Sequence, residues 1–296
     1  MKAALEALLA KSLEYAGLFP PAKLEMGPAV TQYLAQRAGS DGWIVNRFVC
    51  PVSRLEELGA ALDPGKEVRA TVVGRPANAA SDLERDARAI AECPGNVIVQ
   101  AYEAKIGDIR FAHKAGRPLA KVADEFVADG WPLFVEFVGS GDRSGAMQEL
   151  SASLEDVGFK LRTGGVETSM FPSTEDVADF IVEVASLNVP VKFTAGLHEP
   201  LRHWDDGLRA WHHGFVAVLS AACLALSGDL SRREVAEVLE CPKFLFSDDS
   251  LEVLGHRADL DDIESFRDLF GGFGSCSVDE PIEGLRRLGW LPEVVA

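Results

Sequence analysis

The sequence predicts an α/β protein, a single (β/α)8 TIM-like barrel with an N-terminal helical leader. Three observations carry this expectation. From Trp43 onward, short β-branched or aromatic runs alternate with amphipathic helical segments, the pattern of parallel βα units. Eight such units can be counted, which fits a closed barrel better than an open sheet. No Pro/Gly/Ser-rich linker or low-complexity stretch divides the 296 residues, a length that such barrels reach as one unit.

The elements follow in order. Residues 3–15 repeat leucine at helical spacing until Tyr15-Ala-Gly-Leu-Phe-Pro-Pro21 stops the helix, and a second helix is expected over 28–38. Residues 1–40 are therefore read as a leader that covers the barrel's base or joins two subunits, which leaves a homo-oligomer open, and 41–296 as the barrel. Strands are expected near 43–49, 67–73, 97–103, 133–138, 158–163, 190–195, 243–247 and 273–276. Helices are expected near 52–62, 79–92, 117–128, 143–156, 174–187, 207–226, 259–269 and 280–288.

Charge and composition exclude several functions. With 46 acidic against 29 basic residues the formal charge is −17, which disfavours nucleic acid or an anionic membrane as a partner. The longest apolar run, 215–226, is too short for a membrane span and is broken by serine and alanine. The N-terminus lacks the charged-then-apolar layout of a signal peptide, so a cytoplasmic protein is expected. Its five scattered cysteines fit a reducing compartment and no cysteine zinc site.

Barrel enzymes carry their chemistry late in the strands and in the loops that follow, so those positions matter most. Gly158-Phe-Lys-Leu-Arg-Thr-Gly-Gly165 puts Lys160 and Arg162 on one face, and Val191-Lys-Phe-Thr194 pairs Lys192 with Thr194. The apolar alternates suit packing against helices, which turns the basic residues into the lumen with Glu136 of the preceding strand. Three readings follow. A lysine held beside other cations has a depressed pKa and attacks carbonyls as a free amine, with Glu136 or His198 moving protons. The cluster can instead be a cradle for a small anionic substrate without turnover. Or it is an interior ion-pair network around Glu136 with no chemistry.

Phe159-Lys-Leu-Arg-Thr-Gly164 followed by Val191-Lys-Phe-Thr-Ala-Gly196 resembles the paired strand motifs of the deoxyribose-phosphate aldolase family, barrels of the class I, Schiff-base-forming kind. The resemblance implies Lys160 as the imine-forming lysine and Lys192 as the second lysine that lowers its pKa. It covers about forty residues, and the strand count here makes these strands five and six where the family has six and seven. Over nearly the whole chain, Tyr15 to Pro21, the two lysine motifs, His212-His-Gly-Phe and Phe273-Gly-Ser-Cys-Ser-Val-Asp-Glu-Pro resemble a family of uncharacterised bacterial proteins, which adds no chemistry.

Four of the six histidines, His198, His203, His212 and His213, cluster after the Lys192 strand. They offer acid-base or substrate-binding groups beside Arg162 and Arg202, or metal ligands with Glu199 or Asp205 for a metal-assisted hydrolase or lyase. Pro200 rules out a His-Glu-x-x-His helix, and the nearby cations repel a divalent ion, so neither a metal nor another cofactor is expected. The run Gly271 to Ser277 offers Gly274 and Ser275 to bind a phosphate, with Ser277 and Glu280 spaced as a capping box. Cys276 becomes a candidate nucleophile if a histidine approaches it.

Overall fold

The computed structural model describes residues 1–109, 132–138, 141–154, 157–228 and 230–292. Its strands are β1 (Leu13–Tyr15), β2 (Val45–Pro51), β3 (Val68–Ala77), β4 (Val97–Ile106), β5 (Leu133–Phe137), β6 (Val157–Arg162), β7 (Val191–Thr194), β8 (His203–Asp205), β9 (Ala210–His212), β10 (Leu245–Phe246), β11 (Ser250–Val253), β12 (His256–Asp259) and β13 (Phe270–Ser275). The described helices are α1 (Ala3–Leu9), α2 (Met26–Ala38), α3 (Leu55–Ala60), α4 (Ala80–Ala91), α5 (Arg143–Ser153), α6 (Thr174–Leu187), α7 (Phe215–Ser227), α8 (Arg232–Glu240), α9 (Leu260–Leu269) and α10 (Asp279–Arg287).

Strands β1 to β7 and β13 form a closed, all-parallel barrel, with β13 returning to β1 through the pairs Leu13↔Phe273, Glu14↔Gly274 and Tyr15↔Ser275. This is the expected (β/α)8 TIM barrel. Two strands of the expected set change. The leader is not separate, because Lys11 takes a left-handed φ of 51° that ends α1, and Ser12-Leu-Glu-Tyr15 then alternates as a strand. Leu13 and Tyr15 face the helices while Glu14 enters the lumen, so the barrel begins inside residues 1–40. The segment 243–247 is not a barrel strand. Leu245 and Phe246 pair antiparallel with Leu251 and Glu252 in a small sheet, β10-β11-β12, because Ser247-Asp-Asp-Ser250 folds as a tight turn stitched by the Ser247 hydroxyl. Counting from β1, the Lys160 and Lys192 strands are the sixth and seventh of the barrel rather than the fifth and sixth.

Smaller shifts have local causes. The expected helix 207–226 starts only at Phe215, since His203↔His212, Trp204↔Trp211 and Asp205↔Ala210 pair as a hairpin around Arg209, whose φ is 50°. The last barrel strand starts at Phe270 rather than 273. Helix α6 falls over 174–187 as expected, with a Ser173/Asp176 capping box at one end and left-handed Asn188 at the other. The expected helix over 117–128 lies outside the described residues. No described helix is long and apolar enough to cross a membrane.

The period of two decides what fills the lumen. On β5, Leu133 and Val135 pack outward while Phe134 and Glu136 point in. Phe134 plugs the lower lumen. A Cβ at Gly271 would sit 2.1 Å from its ring, so only glycine lets β13 pass there, and Gly158 of β6 gives way to the same ring. Above this plug the lumen turns ionic.

Candidate active site

Six charged side chains from six strands meet above Phe134, and all are at least nine-tenths buried: Glu14, Arg47, Glu103, Glu136, Lys160 and Lys192. Lys160 Nζ lies 2.5 Å from Glu103 and 2.7 Å from Glu136. Lys192 Nζ lies 2.6 Å from the other Glu103 oxygen and against Glu14, with the Phe134 face 5.6 Å away. Arg47 donates to Glu14 at 2.7 Å and to the Gly271 carbonyl, and the Thr71 hydroxyl donates to Glu14 at 2.6 Å. Three carboxylates face three cations, so this layer is neutral as a set.

That pairing reverses one expectation. Lys160 was expected to lose charge beside other cations. Burial does work against its ammonium, yet the Glu103 and Glu136 carboxylates outweigh burial and hold its pKa above the ordinary lysine value. Burial likewise opposes ionisation of Glu103, but the Lys160 and Lys192 ammonium groups pull its carboxyl down to about 2. Each carboxylate of the layer lies against at least one cation, and each cation against at least one carboxylate.

The layer forms the floor of a cavity of about 830 Å3 that opens at the C-terminal ends of the strands. Lys160, Glu103 and Glu136 reach it from below, Lys105 and Arg162 from the side, and Gly274, His198 and His203 from the rim. Lys105 makes no ion pair among the described residues; burial foremost lowers its pKa, Glu136 opposes the fall, and Lys160 and Arg162 add to it. Lys105 and Arg162 place two cations on this part of the wall, with Glu136 opposite Lys105 in the β4–β5 register. The cavity wall carries both signs: Lys105, Lys160 and Arg162 face it together with Glu103, Glu136, Glu199, Asp205 and Glu280, and the cations gather on the β4 and β6 side.

Several expected site residues sit elsewhere. Lys192 is fully buried behind Glu103 and does not reach the cavity. Arg202 pairs with Glu240 at 3.3 Å and stacks over Trp211 at 4.1 Å, outside the cavity wall. His213 is buried and donates from Nε2 to the Pro172 carbonyl at 2.9 Å, a brace for the loop. Ser275 is buried and accepts from the Ser277 amide, while its neighbour Gly274 does line the cavity. The glycine run is thus barrel strand more than phosphate loop. Gly164 and Gly196, which follow the two lysines, let β6 and β7 end against each other: a Cβ on Gly164 would come within 2.8 Å of the Gly196 Cα.

The histidines separate by role. His212 stacks on Phe171 with ring centres 4.1 Å apart. His198 lies between Glu280, whose Oε2 is 2.6 Å from Nδ1, and Cys276, whose sulfur is 3.9 Å from Nε2. Among the described residues no three potential metal ligands converge, and His198 and His213 are engaged with Glu280 and the Pro172 carbonyl.

Glu14, Arg47, Glu103 and Lys105 were missed by the sequence reading. Ala101-x-Glu103-x-Lys105 shares one face by strand period, so extending β4 by three residues past 103 would have found Lys105. No model of a known family and no curated protein matches the chain.

Proposed function

We propose that the protein is a lyase of the aldolase type that takes a small anionic carbonyl metabolite and holds it as an imine on Lys160. One observation carries the reading: the Lys160 amine reaches the floor of the cavity, between two carboxylates and directly beside Lys192 across the β6–β7 pairing. The resemblance to the deoxyribose-phosphate aldolases implies lysines on the sixth and seventh strands, and the reading is supported by Lys160 and Lys192 lying on the sixth and seventh barrel strands counted from β1.

The chemistry starts from a charged lysine. Passing one proton from Lys160 to Glu136 across 2.7 Å turns two buried charges into a neutral amine and a neutral acid, which a dehydrated cavity tolerates. The amine adds to the substrate carbonyl, Glu136 returns the proton to the departing water, and the iminium accepts the electron pair of the breaking carbon–carbon bond. Glu103, locked between two lysines, stays ionised and keeps Lys160 aimed upward. Lys105 and Arg162 hold the substrate's anionic group.

A second reading rests on Lys105, which lines the same cavity without an ion pair among the described residues and whose pKa burial foremost lowers. One experiment separates the two. Borohydride is added in the presence of a panel of 2-oxo acids and phosphorylated aldehydes, and the reduced adduct is mapped by mass spectrometry. The expected adduct is on Lys160. An adduct on Lys105 moves the chemistry to that residue, and no adduct across the panel leaves an anion-binding barrel without imine chemistry.

A further inference from the structure

The capping box expected at α10 is only half made, and the missing half points to a second reactive group. The Ser277 hydroxyl accepts from the Glu280 amide at 3.3 Å, but the Glu280 carboxylate turns away from the helix end to His198 Nδ1. A carboxylate there fixes the tautomer: Nδ1 carries the proton and donates it to Glu280, which leaves the Nε2 lone pair facing Cys276. Nucleophile, base and orienting acid thus stand in sequence on three separate segments: the end of β13, the loop after β7 and the first turn of α10. All three side chains line the same 830 Å3 cavity as Lys160.

We propose that Cys276, His198 and Glu280 form a thiol centre at the cavity rim that adds reversibly to aldehydes. The sulfur rests as a thiol, since burial foremost pushes its pKa up. On attack the S–H bond breaks and an S–C bond forms; His198 Nε2 takes the thiol proton and returns it to the oxygen that receives the carbonyl π pair, giving a thiohemiacetal. Nothing is oxidised and no co-reactant is needed. Acyl transfer would demand paired donors for an oxyanion as well, whereas this addition needs only a base that takes and returns one proton. Cys50 and Cys223 serve as internal controls: each is buried and held at about 12 mainly by that burial. The proposal does not rest on an imine at Lys160.

The test uses [1-13C]acetaldehyde with the full chain and carbon NMR. The native protein should show one bound resonance for a carbon bonded to both sulfur and oxygen, distinct from the hydrate, and Cys276→Ser should lose it. His198→Asn should slow its exchange about 100-fold, the low end of general-base contributions, and Glu280→Gln should slow it less. No such resonance in the native protein, its survival in Cys276→Ser, or an unchanged rate in His198→Asn would overturn the proposal. Borohydride trapping in Cys276→Ser keeps the two centres apart: an adduct on Lys160 there with the thiohemiacetal gone assigns each signal to its own residue.

Discussion

The floor and the rim of the cavity use the same kinds of side chain to opposite ends. At the floor, every carboxylate has a cation and every cation a carboxylate, all under less than a tenth exposure. At the rim, His198 keeps one ring nitrogen for a thiol, and on the wall below it Lys105 and Arg162 make no ion pair among the described residues. Burial with full pairing makes charge rigid and chemically quiet; partial burial with one valence left over makes it available. Lys160 belongs to both, since its partners are those of the floor while its amine faces the cavity.

The widest separation between the regions should appear in stability. Lys192→Met leaves Glu14 and Glu103 buried without their shared cation, and losing one partner of such a network costs about 3–5 kcal/mol. Urea denaturation should read that loss. A cost under about 1 kcal/mol would mean that the floor is not held by charge, because surface-like substitutions already fall in that range.

The next effect is on acid and alkaline unfolding. Glu103 titrates at about 2 in the fold against an ordinary 4.5, so its contribution is complete above 4.5 and drains as pH falls toward 2. Lys160 is raised above its ordinary 10.5, so its contribution is complete below 10.5 and is lost as pH climbs beyond that. These two groups hold denaturation midpoints level between those limits and lower them on both sides, while His212 and His213, whose pKa burial lowers, add a loss as pH falls below the ordinary histidine value of 6.5. Replacing Glu280 at the rim with glutamine should leave the profile's shape alone. A profile that shifts with Glu280 and not with the floor would break the distinction.

The barrel was legible because its signals are periodic. Strand alternation on β5, β6 and β7 alone decides which faces Glu136, Lys160 and Lys192 occupy. What could not be read was pairing across strands. Glu14 sits in a three-residue strand hidden behind a leucine-rich helix, and Arg47 and Glu103 lie 33 and 57 residues away from their partners in sequence. A row of lysines read without those carboxylates predicts mutual repulsion and a low pKa; with them the direction reverses. His198 was singled out from the sequence, but its partners Cys276 and Glu280 arrive from the far end of the chain.

The smallest expected effect lies at Arg162, whose exposed guanidinium donates to the Gly164 carbonyl at 2.7 Å and makes no ion pair among the described residues. Arg162→Ala should change stability by no more than about 0.5 kcal/mol while weakening binding of inorganic phosphate measured by calorimetry. Stability loss comparable with that of Lys192→Met would place Arg162 in the floor network instead.

The division between locked and available charge is tested most directly by following the lysine side chains themselves. With the lysine Cε carbons labelled, carbon NMR across an alkaline titration reports each ammonium separately, with Lys105→Met and Lys192→Met assigning the resonances. Lys105 should lose its proton below the ordinary lysine value, and Lys160 should keep its proton beyond 10.5. A Lys160 that titrates below 10.5 while Lys105 titrates above it would contradict the account.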